Sequence, residues 1–359
     1  MKETKHKKNE AAKAYAVILA GGNGERFWPL STKQRPKPFV DIFEGKALIR
    51  HAFDRLDGLI PPERTFVITA SRLVSLTHRT LPELPVSNII AEPCPRNTAA
   101  AVAVACGLVS KLAGGDAVAC IFAADQIMSP AKEFRSTLSD SIKVASKHDS
   151  IVTIGIKPEF AATEFGYIEC GSAVQTRTKT QFNNAKRFVE KPNEPTAKRY
   201  VKSGKFRWNA GMFVWRASVM QKAFAAAAPE FLPLVSAIAS SKSPLRQIRR
   251  FYPDLRSISV DFAVMEKITN ILVAKSSFHW DDVGTWQALA NHFPLDQYKN
   301  VRTGKTAVLN SSSSIIISSD DHLTAVLGMS DVVVVHTPNA TLVCPRNKAH
   351  EIRDLVKNL

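Results

Sequence analysis

Apolar positions along the chain fall into two textures. From residue 15 to about 156, short apolar runs rich in β-branched residues alternate with longer segments whose apolar positions recur every three to four residues. The runs 15–20, 65–69, 117–122 and 151–156 predict strands, and the segments 46–56, 71–80, 97–113 and 131–146 predict helices. This alternation implies βαβ units and an α/β fold, with a mainly parallel sheet flanked by helices on both faces. Between 166 and 216 the pattern shortens to GYIEC, KRFVEKP and MFVW, joined by polar loops. These pieces imply an inserted or antiparallel region able to wall one side of a site. Helical periodicity returns over 217–238 and 261–267, and a strand follows at 271–275.

After about residue 298 the pattern is different. The runs TAVL, SIIIS, DVVVVH and ATLVC recur at a spacing of roughly 8 to 12 residues, with Ser, Asn, Asp and Gly between them. That rhythm predicts a small all-β unit over 298–359, closed by a helix at 348–359. The main domain then spans 15–297. Residues 1–14, MKETKHKKNEAAKA, read as a disordered basic arm lacking the apolar core of a secretory signal.

Composition agrees with this division. A chain of 359 residues exceeds what one core comfortably fills, so two unequal domains are expected. With 45% hydrophobic and 22% charged residues it has a globular composition. No apolar run reaches the roughly 18 residues that cross a bilayer, which favours a soluble, cytoplasmic protein without a membrane partner. The cysteines Cys94, Cys106, Cys120, Cys170 and Cys344 are scattered, without disulfide or zinc spacing, and read as reduced thiols. The net charge of +16 raises nucleic acid as a partner. Lys and Arg are dispersed, however, with no interleaved aromatic residues, so a basic bed for a polyphosphate fits equally well.

Chemistry concentrates first in Leu19-Ala-Gly-Gly-Asn-Gly-Glu-Arg-Phe-Trp-Pro-Leu-Ser31, which follows the first strand. A Walker loop would end in Gly-Lys-Ser/Thr, which is absent here. A dinucleotide fingerprint needs a third glycine where Phe27 stands, which removes nicotinamide-dependent oxidoreduction, and Pro29 biases Trp28 away from helical geometry. A concave anion nest fits better. Backbone N–H groups around Gly21, Gly22, Asn23 and Gly24 can approach phosphate closely, Arg26 offers a planar fork, and Lys37 in Arg35-Pro-Lys-Pro38 offers a point charge. An ordinary βα turn with exposed basic residues is the competing reading of the glycines alone.

With Arg35-Pro-Lys37, this loop resembles the signature of the sugar-phosphate nucleotidylyltransferases. Further blocks narrow the likeness: Glu92-Pro-Cys-Pro-Arg-Asn-Thr-Ala99, Phe188-Val-Glu-Lys-Pro192, Trp208-Asn-Ala-Gly-Met-Phe213, Asp261-Phe-Ala-Val-Met-Glu-Lys267 and Trp280-Asp-Asp-Val-Gly-Thr-Trp286. In this order they resemble the bacterial mannose-1-phosphate guanylyltransferases, in a short form without the isomerase domain. The resemblance implies a Rossmann-like catalytic sheet and a C-terminal region of left-handed β-helix type. It also implies that GTP and mannose 1-phosphate are converted to GDP-mannose and pyrophosphate with Mg²⁺. A homodimer is compatible with it.

The resemblance also implies roles for individual residues. Arg26, Lys37, Asp125 and Asp282 are the expected catalytic residues, with Asp125 and Asp282 as metal ligands; Asp281 is the close alternative to Asp282. Leu19, Ala20, Gly21, Gly22, Asn23, Gly24, Glu92, Arg96, Asn97 and Thr98 are expected at the nucleotide. Glu92 would read guanine, because a carboxylate offers two acceptors to the adjacent N1–H and N2–H₂ donors. Arg96, Asn97 and Thr98 would shape the loop and could cap the following helix. Gly166, Glu190, Lys191 and Asn209 are expected at the sugar phosphate. Glu190 and Lys191 can face one way only if the strand ends between them, and Pro192 makes such an ending plausible.

Two blocks depart from the family pattern. Ala123-Ala-Asp-Gln126 stands where Pro-Ala/Ser-Asp-His is usual, and Arg96-Asn-Thr-Ala-Ala-Ala101 lacks the usual proline. Neither removes an expected ligand. A catalytically silent nucleotide-sugar-binding subunit and a nucleic-acid-binding protein are the competing functional classes.

Overall fold

The computed structural model describes residues 14–22, 24–41, 43–319 and 321–359; the basic arm and Asn23 lie outside the described residues, except for Ala14, which opens the first strand. The strands are β1 Ala14–Ala20, β2 Thr65–Ala70, β3 Ile89–Glu92, β4 Val118–Ala123, β5 Ile127–Ser129, β6 Ile151–Ile156, β7 Gly166–Val174, β8 Phe182–Val189, β9 Phe206–Arg216 and β10 Ile271–Lys275. They continue as β11 His279–Asp281, β12 Val301–Thr303, β13 Thr306–Leu309, β14 Ile315–Ser318, β15 Thr324–Leu327, β16 Val332–Thr337 and β17 Ala340–Pro345. The helices are α1 Leu48–Asp54, α2 Val74–Thr80, α3 Asn97–Ala113, α4 Ala131–Lys147, α5 Glu194–Ser203, α6 Ala217–Ala227, α7 Leu232–Ser240, α8 Pro244–Phe251, α9 Trp286–Ala290 and α10 Ile352–Lys357.

The chain divides into two compact units, neither continuous in sequence. Among the described residues, one comprises Ala14–Gly21, Ala52–Ala124 and Met128–Trp280; the other comprises those of Gly22–His51, Asp125–Ile127 and Asp281–Leu359. The linear division at residue 297 therefore does not follow the packing. The glycine loop passes from one unit to the other between Gly21 and Gly22.

The first unit is built on a nine-stranded sheet in the order β3-β2-β1-β4-β9-β6-β10-β8-β7. Strands β1–β4 pair in parallel, as their βαβ pattern predicts, and so do β6 and β10. The expectation of a mainly parallel sheet needs correction: the sheet is mixed. Strand β9 enters antiparallel between β4 and β6, and β7 and β8 pair antiparallel. Because β9 also pairs with β7, strands β9, β6, β10, β8 and β7 close into a ring. Strand β9 is long enough for both tasks. Its MFVW half is buried against β4 and β6, and its FRWN half meets β7.

Helix α3, whose central residues Ala99 to Val109 are all buried, supplies the middle of this unit's core. Its Ala- and Val-rich surface is small enough to lie close to both the sheet and α7. The expected helix over 217–238 is two helices, because Pro229 cannot continue the hydrogen-bond ladder and the chain breaks at Ala228.

In the second unit β12, β14 and β16 stack in parallel, and β13 and β15 form a second parallel face, the arrangement of successive coils of a β-helix. Strand β17 ends the stack antiparallel to β16. The fully buried Asn300 fixes one corner: its Nδ2 donates to the Ser311 carbonyl at 2.9 Å, and its Oδ1 accepts from the Ser314 N–H at 3.0 Å. The apolar residues inside these coils, Ile315, Ile317, Val333 and Val335, share one core with Phe27, Phe43, Trp286 and Ile352. Phe27 meets Trp286 with ring centroids 5.3 Å apart, so the glycine loop is packed by the same core as the β-helical coils. The expected helix at 348–359 begins as a 3-10 turn, Arg346–Glu351, before α10.

Candidate active site

In the second unit the glycine loop closes into a single 3-10 turn, Glu25–Phe27, and Trp28 then leaves helical geometry at φ −58° and ψ 139°. Gly24 precedes the turn at φ +63°, and a Cβ built there would lie 2.2 Å from the Lys37 Cβ. Glycine is therefore required on both conformational and steric grounds. The close approach brings Lys37 beneath the loop. Its buried Nζ donates to Asp125 Oδ2 at 2.9 Å and to the Asp282 carbonyl at 2.6 Å. The same ammonium lies 5.7 Å from the Phe27 ring centroid, within cation–π range.

Asp282 accepts from the Gly284 N–H at 3.1 Å. Its pKa is pushed up to about 6, chiefly by burial, with Lys37 opposing the rise and Asp281 and Asp125 adding to it. Asp281 is committed elsewhere: one oxygen accepts from the Val283 N–H at 2.7 Å and the other meets His292 Nε2 at 2.8 Å. Lys37, Arg26, Asp125 and Gly284 line a cavity of about 380 Å³ together with Glu25 and Arg353. Four of the expected residues, Gly24, Arg26, Lys37 and Asp125, are thus brought to one cavity, with the Asp282 carbonyl bound to Lys37. Gly22 lies on the same loop, exposed, with open space where a side chain would be.

The donor set suits a hard divalent cation. Asp125 and Asp282 offer carboxylate oxygens without thiol or imidazole, and Mg²⁺ ordinarily takes one or two carboxylates plus substrate phosphate oxygens. Among the described residues there is no group of three or more His, Cys, Asp or Glu that would form an all-protein cage.

In the first unit the remaining expected nucleotide residues lie at the end of β1, at the end of β3 and at the start of α3. Leu19 and Ala20 belong to β1, where Thr69 Oγ1 donates to the Ala20 carbonyl at 2.9 Å. Gly21 follows, and a Cβ there would stand 3.2 Å from Glu92 Oε2. The other Glu92 oxygen, Oε1, accepts a short hydrogen bond from Tyr252 Oη. Burial raises the Glu92 pKa and the tyrosine hydroxyl opposes that rise.

Arg96, Asn97 and Thr98 hold a loop; they do not cap α3. The Arg96 guanidinium donates to the Pro253 carbonyl, with Nε at 3.0 Å, and Thr98 Oγ1 accepts from the Val260 N–H at 2.9 Å. Asn97, at φ +61°, accepts only from its neighbour Thr98 N–H. The capping expectation fails because the N-cap position falls on Arg96, whose guanidinium has no acceptor, while Thr98 Oγ1 is taken by Val260.

The expected sugar-phosphate residues form a second cluster in this unit. Strand β8 ends at Val189, and the chain turns at Lys191, φ +44°, so that Lys191 Nζ and Glu190 Oε1 lie 3.5 Å apart. Glu190 faces Gly166, where an added Cβ would meet its Oε2 at 2.4 Å. Asn209 Nδ2 donates to Asp261 Oδ1 at 2.7 Å, and its Oδ1 accepts from the Gly211 N–H at 3.2 Å. Burial raises the pKa values of both Asp261 and Glu190, and the Asp261 charge raises Glu190 further. Beside them Phe160, Phe165, Trp208 and Trp280 meet edge to face.

Residues at these clusters beyond those expected from sequence include Tyr252, Asp261 and Arg353. Asp261 opens a block already noted for its resemblance, which was a usable signal. Tyr252 and Arg353 lie in segments with no motif.

Residues 15–299 match the family described as Nucleotidyl transferase, and residues 305–359 match the MannoseP isomerase/GMP-like beta-helix domain. A mannose-1-phosphate guanylyltransferase of Escherichia coli is 36% identical over 352 residues, covering 96% of this chain and 73% of the relative. One from Sinorhizobium fredii is 33% identical, covering 97% of this chain and 68% of the relative. A crystal structure from Thermus thermophilus, described as a mannose-1-phosphate geranyltransferase, matches with a TM-score of 0.86 at 31% identity, covering 96% of this chain and 99% of that one. With this likeness along nearly its whole length, the chain belongs to the nucleotidyl transferase family, among the mannose-1-phosphate guanylyltransferases, and is an enzyme of that group.

Proposed function

We propose that the protein transfers GMP from GTP to α-D-mannose 1-phosphate, releasing pyrophosphate and forming GDP-mannose. The observation that carries this reading is Lys37, held between Asp125 and the Asp282 carbonyl in a cavity shaped by the glycine loop. An oxygen of the sugar phosphate attacks the α-phosphorus, and the bond from that phosphorus to the bridging oxygen breaks as pyrophosphate leaves. No covalent nucleophile on the protein is needed, so its task is positioning and charge neutralisation. Lys37 and Arg26 supply fixed positive charge to the phosphates. Asp125 and Asp282 would hold Mg²⁺, which when bound supplies further neutralisation of phosphate charge.

Glu92 suits guanine by its chemistry. Its two oxygens match adjacent N–H donors, and each retains acceptor capacity beyond the bond from Tyr252. Glu190 and Asn209 suit sugar hydroxyls, and Lys191 suits the sugar phosphate. The test is a panel of four nucleoside triphosphates against mannose and glucose 1-phosphates, with Mg²⁺ and with chelator, followed by pyrophosphate exchange into GTP. GTP with mannose 1-phosphate should be the preferred pair, and exchange should need the divalent cation. A folded protein that binds GDP-mannose yet shows no exchange would be a silent binding subunit, and the reading would fall. Glu92→Gln should lose discrimination against ATP and UTP while still binding triphosphate; unchanged discrimination would place base reading elsewhere.

A further inference from the structure

We propose that Arg353, carried by α10 at the end of the β-helical coils, is a ligand for the pyrophosphate portion of the nucleotide. The proposal rests on the reading of the glycine-loop cavity as a polyphosphate site and extends that site to a segment with no phosphate motif. Arg353 lines the same cavity as Arg26, Lys37 and Asp125. Its backbone is fixed there, because the preceding Ile352 is 3% exposed and sits in one core with Phe27 and Trp286, and α10 lies against the turn Glu25–Phe27.

The side chain itself is not tightly held. It is 59% exposed, and its ion pair among the described residues sets Nε 3.4 Å from Glu25 Oε2. Charge-assisted hydrogen bonds of this type ordinarily close to about 2.7–2.9 Å. A contact this long between exposed groups is weak and easily exchanged for a better anion. Lys37, by contrast, already spends two of its three donors on Asp125 and the Asp282 carbonyl. A leaving group bearing several negative charges can use a further cation beside Lys37 and Arg26, and a guanidinium offers phosphate two parallel donors from a planar fork. Glu25 then has a definite part: it holds Arg353 beside the cavity when no phosphate is there, and competes with phosphate for it.

The test is calorimetric titration of the full-length protein with inorganic pyrophosphate in magnesium-free buffer, using Arg353→Gln, Glu25→Gln and Arg26→Gln. Removing one exposed charge-assisted contact should weaken pyrophosphate binding about five- to tenfold in Arg353→Gln and flatten its salt dependence. Glu25→Gln should bind pyrophosphate as tightly as the parent or more tightly. In pyrophosphorolysis, Arg353→Gln should raise KM for pyrophosphate and leave KM for GDP-mannose unchanged. Parental affinity in Arg353→Gln together with weakened binding in Arg26→Gln overturns the proposal and keeps the cavity. Parental affinity in both variants overturns the underlying reading as well. Equal losses of affinity and of thermal stability in Arg353→Gln and Glu25→Gln would make the pair a helix strap, which also overturns the proposal.

Discussion

Tyr252→Phe isolates one hydrogen bond. The side chain is fully buried, and the substitution keeps its ring while removing the hydroxyl that donates to Glu92. Glu92 is half-buried, so the Tyr252 hydroxyl is the partner that its Oε1 loses. A hydrogen bond to a charged group contributes about 1.5–3 kcal/mol, whereas a neutral one contributes about 0.5–1.5 kcal/mol. The sign with pH follows from the direction of the shift. A carboxyl whose folded-state pKa is raised contributes stability that is full below its unfolded pKa and is lost as pH climbs through the folded pKa. The tyrosine hydroxyl lowers the Glu92 pKa, so its removal raises that pKa further and enlarges the loss at high pH. The variant should therefore be less stable than its parent by about 2 kcal/mol at pH 8 and by about 1 kcal/mol at pH 5. Urea unfolding followed by tryptophan fluorescence at the two pH values measures both deficits. Equal deficits would show that the bond carries no charge, and deficits below about 0.5 kcal/mol at both would show that it is not formed.

Gly24→Ala should cost about 3 kcal/mol, adding left-handed backbone strain to an overlap with Lys37 that only movement can relieve, and turnover should fall with stability; parental unfolding midpoints would remove the steric argument. Asp125→Asn and Asp282→Asn should each reduce turnover about a hundredfold or more with secondary structure intact, read by steady-state kinetics across a Mg²⁺ titration; rates within tenfold of the parent would remove that residue from the metal. Asp281→Asn gives the contrast. Its amide oxygen can still accept from the Val283 N–H, but the contact with His292 loses its carboxylate, so the variant should lower the melting temperature slightly and leave turnover within about tenfold, and a collapse like that of Asp282→Asn would reverse the assignment of the two neighbours.

The parallel half of the sheet was legible because β1, β4 and β6 are six- or seven-residue apolar runs, α4 carries helical periodicity and the apolar run of α3 is too long for a strand. Helices α5 and α8 escaped notice because each is short and buries a single residue, Ala197 or Ile248, so few apolar positions mark it. Direction was the harder matter. Nothing local in FRWNAGMFVWR states that the strand runs antiparallel between β4 and β6, because that depends on where α5 returns the chain. At the site, Lys37 and Asp125 were visible as motif residues, but their contact spans 88 positions and no spacing rule reaches so far. Tyr252 had no signal because the only thing that distinguishes it is its partner.

The discontinuity of the second unit bears on how the protein is made. Lys37 and Asp282 are 245 positions apart, and the Phe27 ring finds its core partners at Trp286 and beyond. At about 5–20 residues per second, a ribosome needs roughly 12–50 s to pass from one to the other. Through that interval the glycine loop is already synthesised while Phe27 and Phe43 lack the chain that buries them. A chain cut near residue 297 would keep every signature motif of the main sheet and still leave that loop without Ile315, Val333 and Ile352 around it. Such a fragment should therefore depend on chaperones and aggregate. Activity becomes possible only once the last coils close over an early loop, so the segment that looks most like an appendage in the sequence sets the moment at which the enzyme is finished.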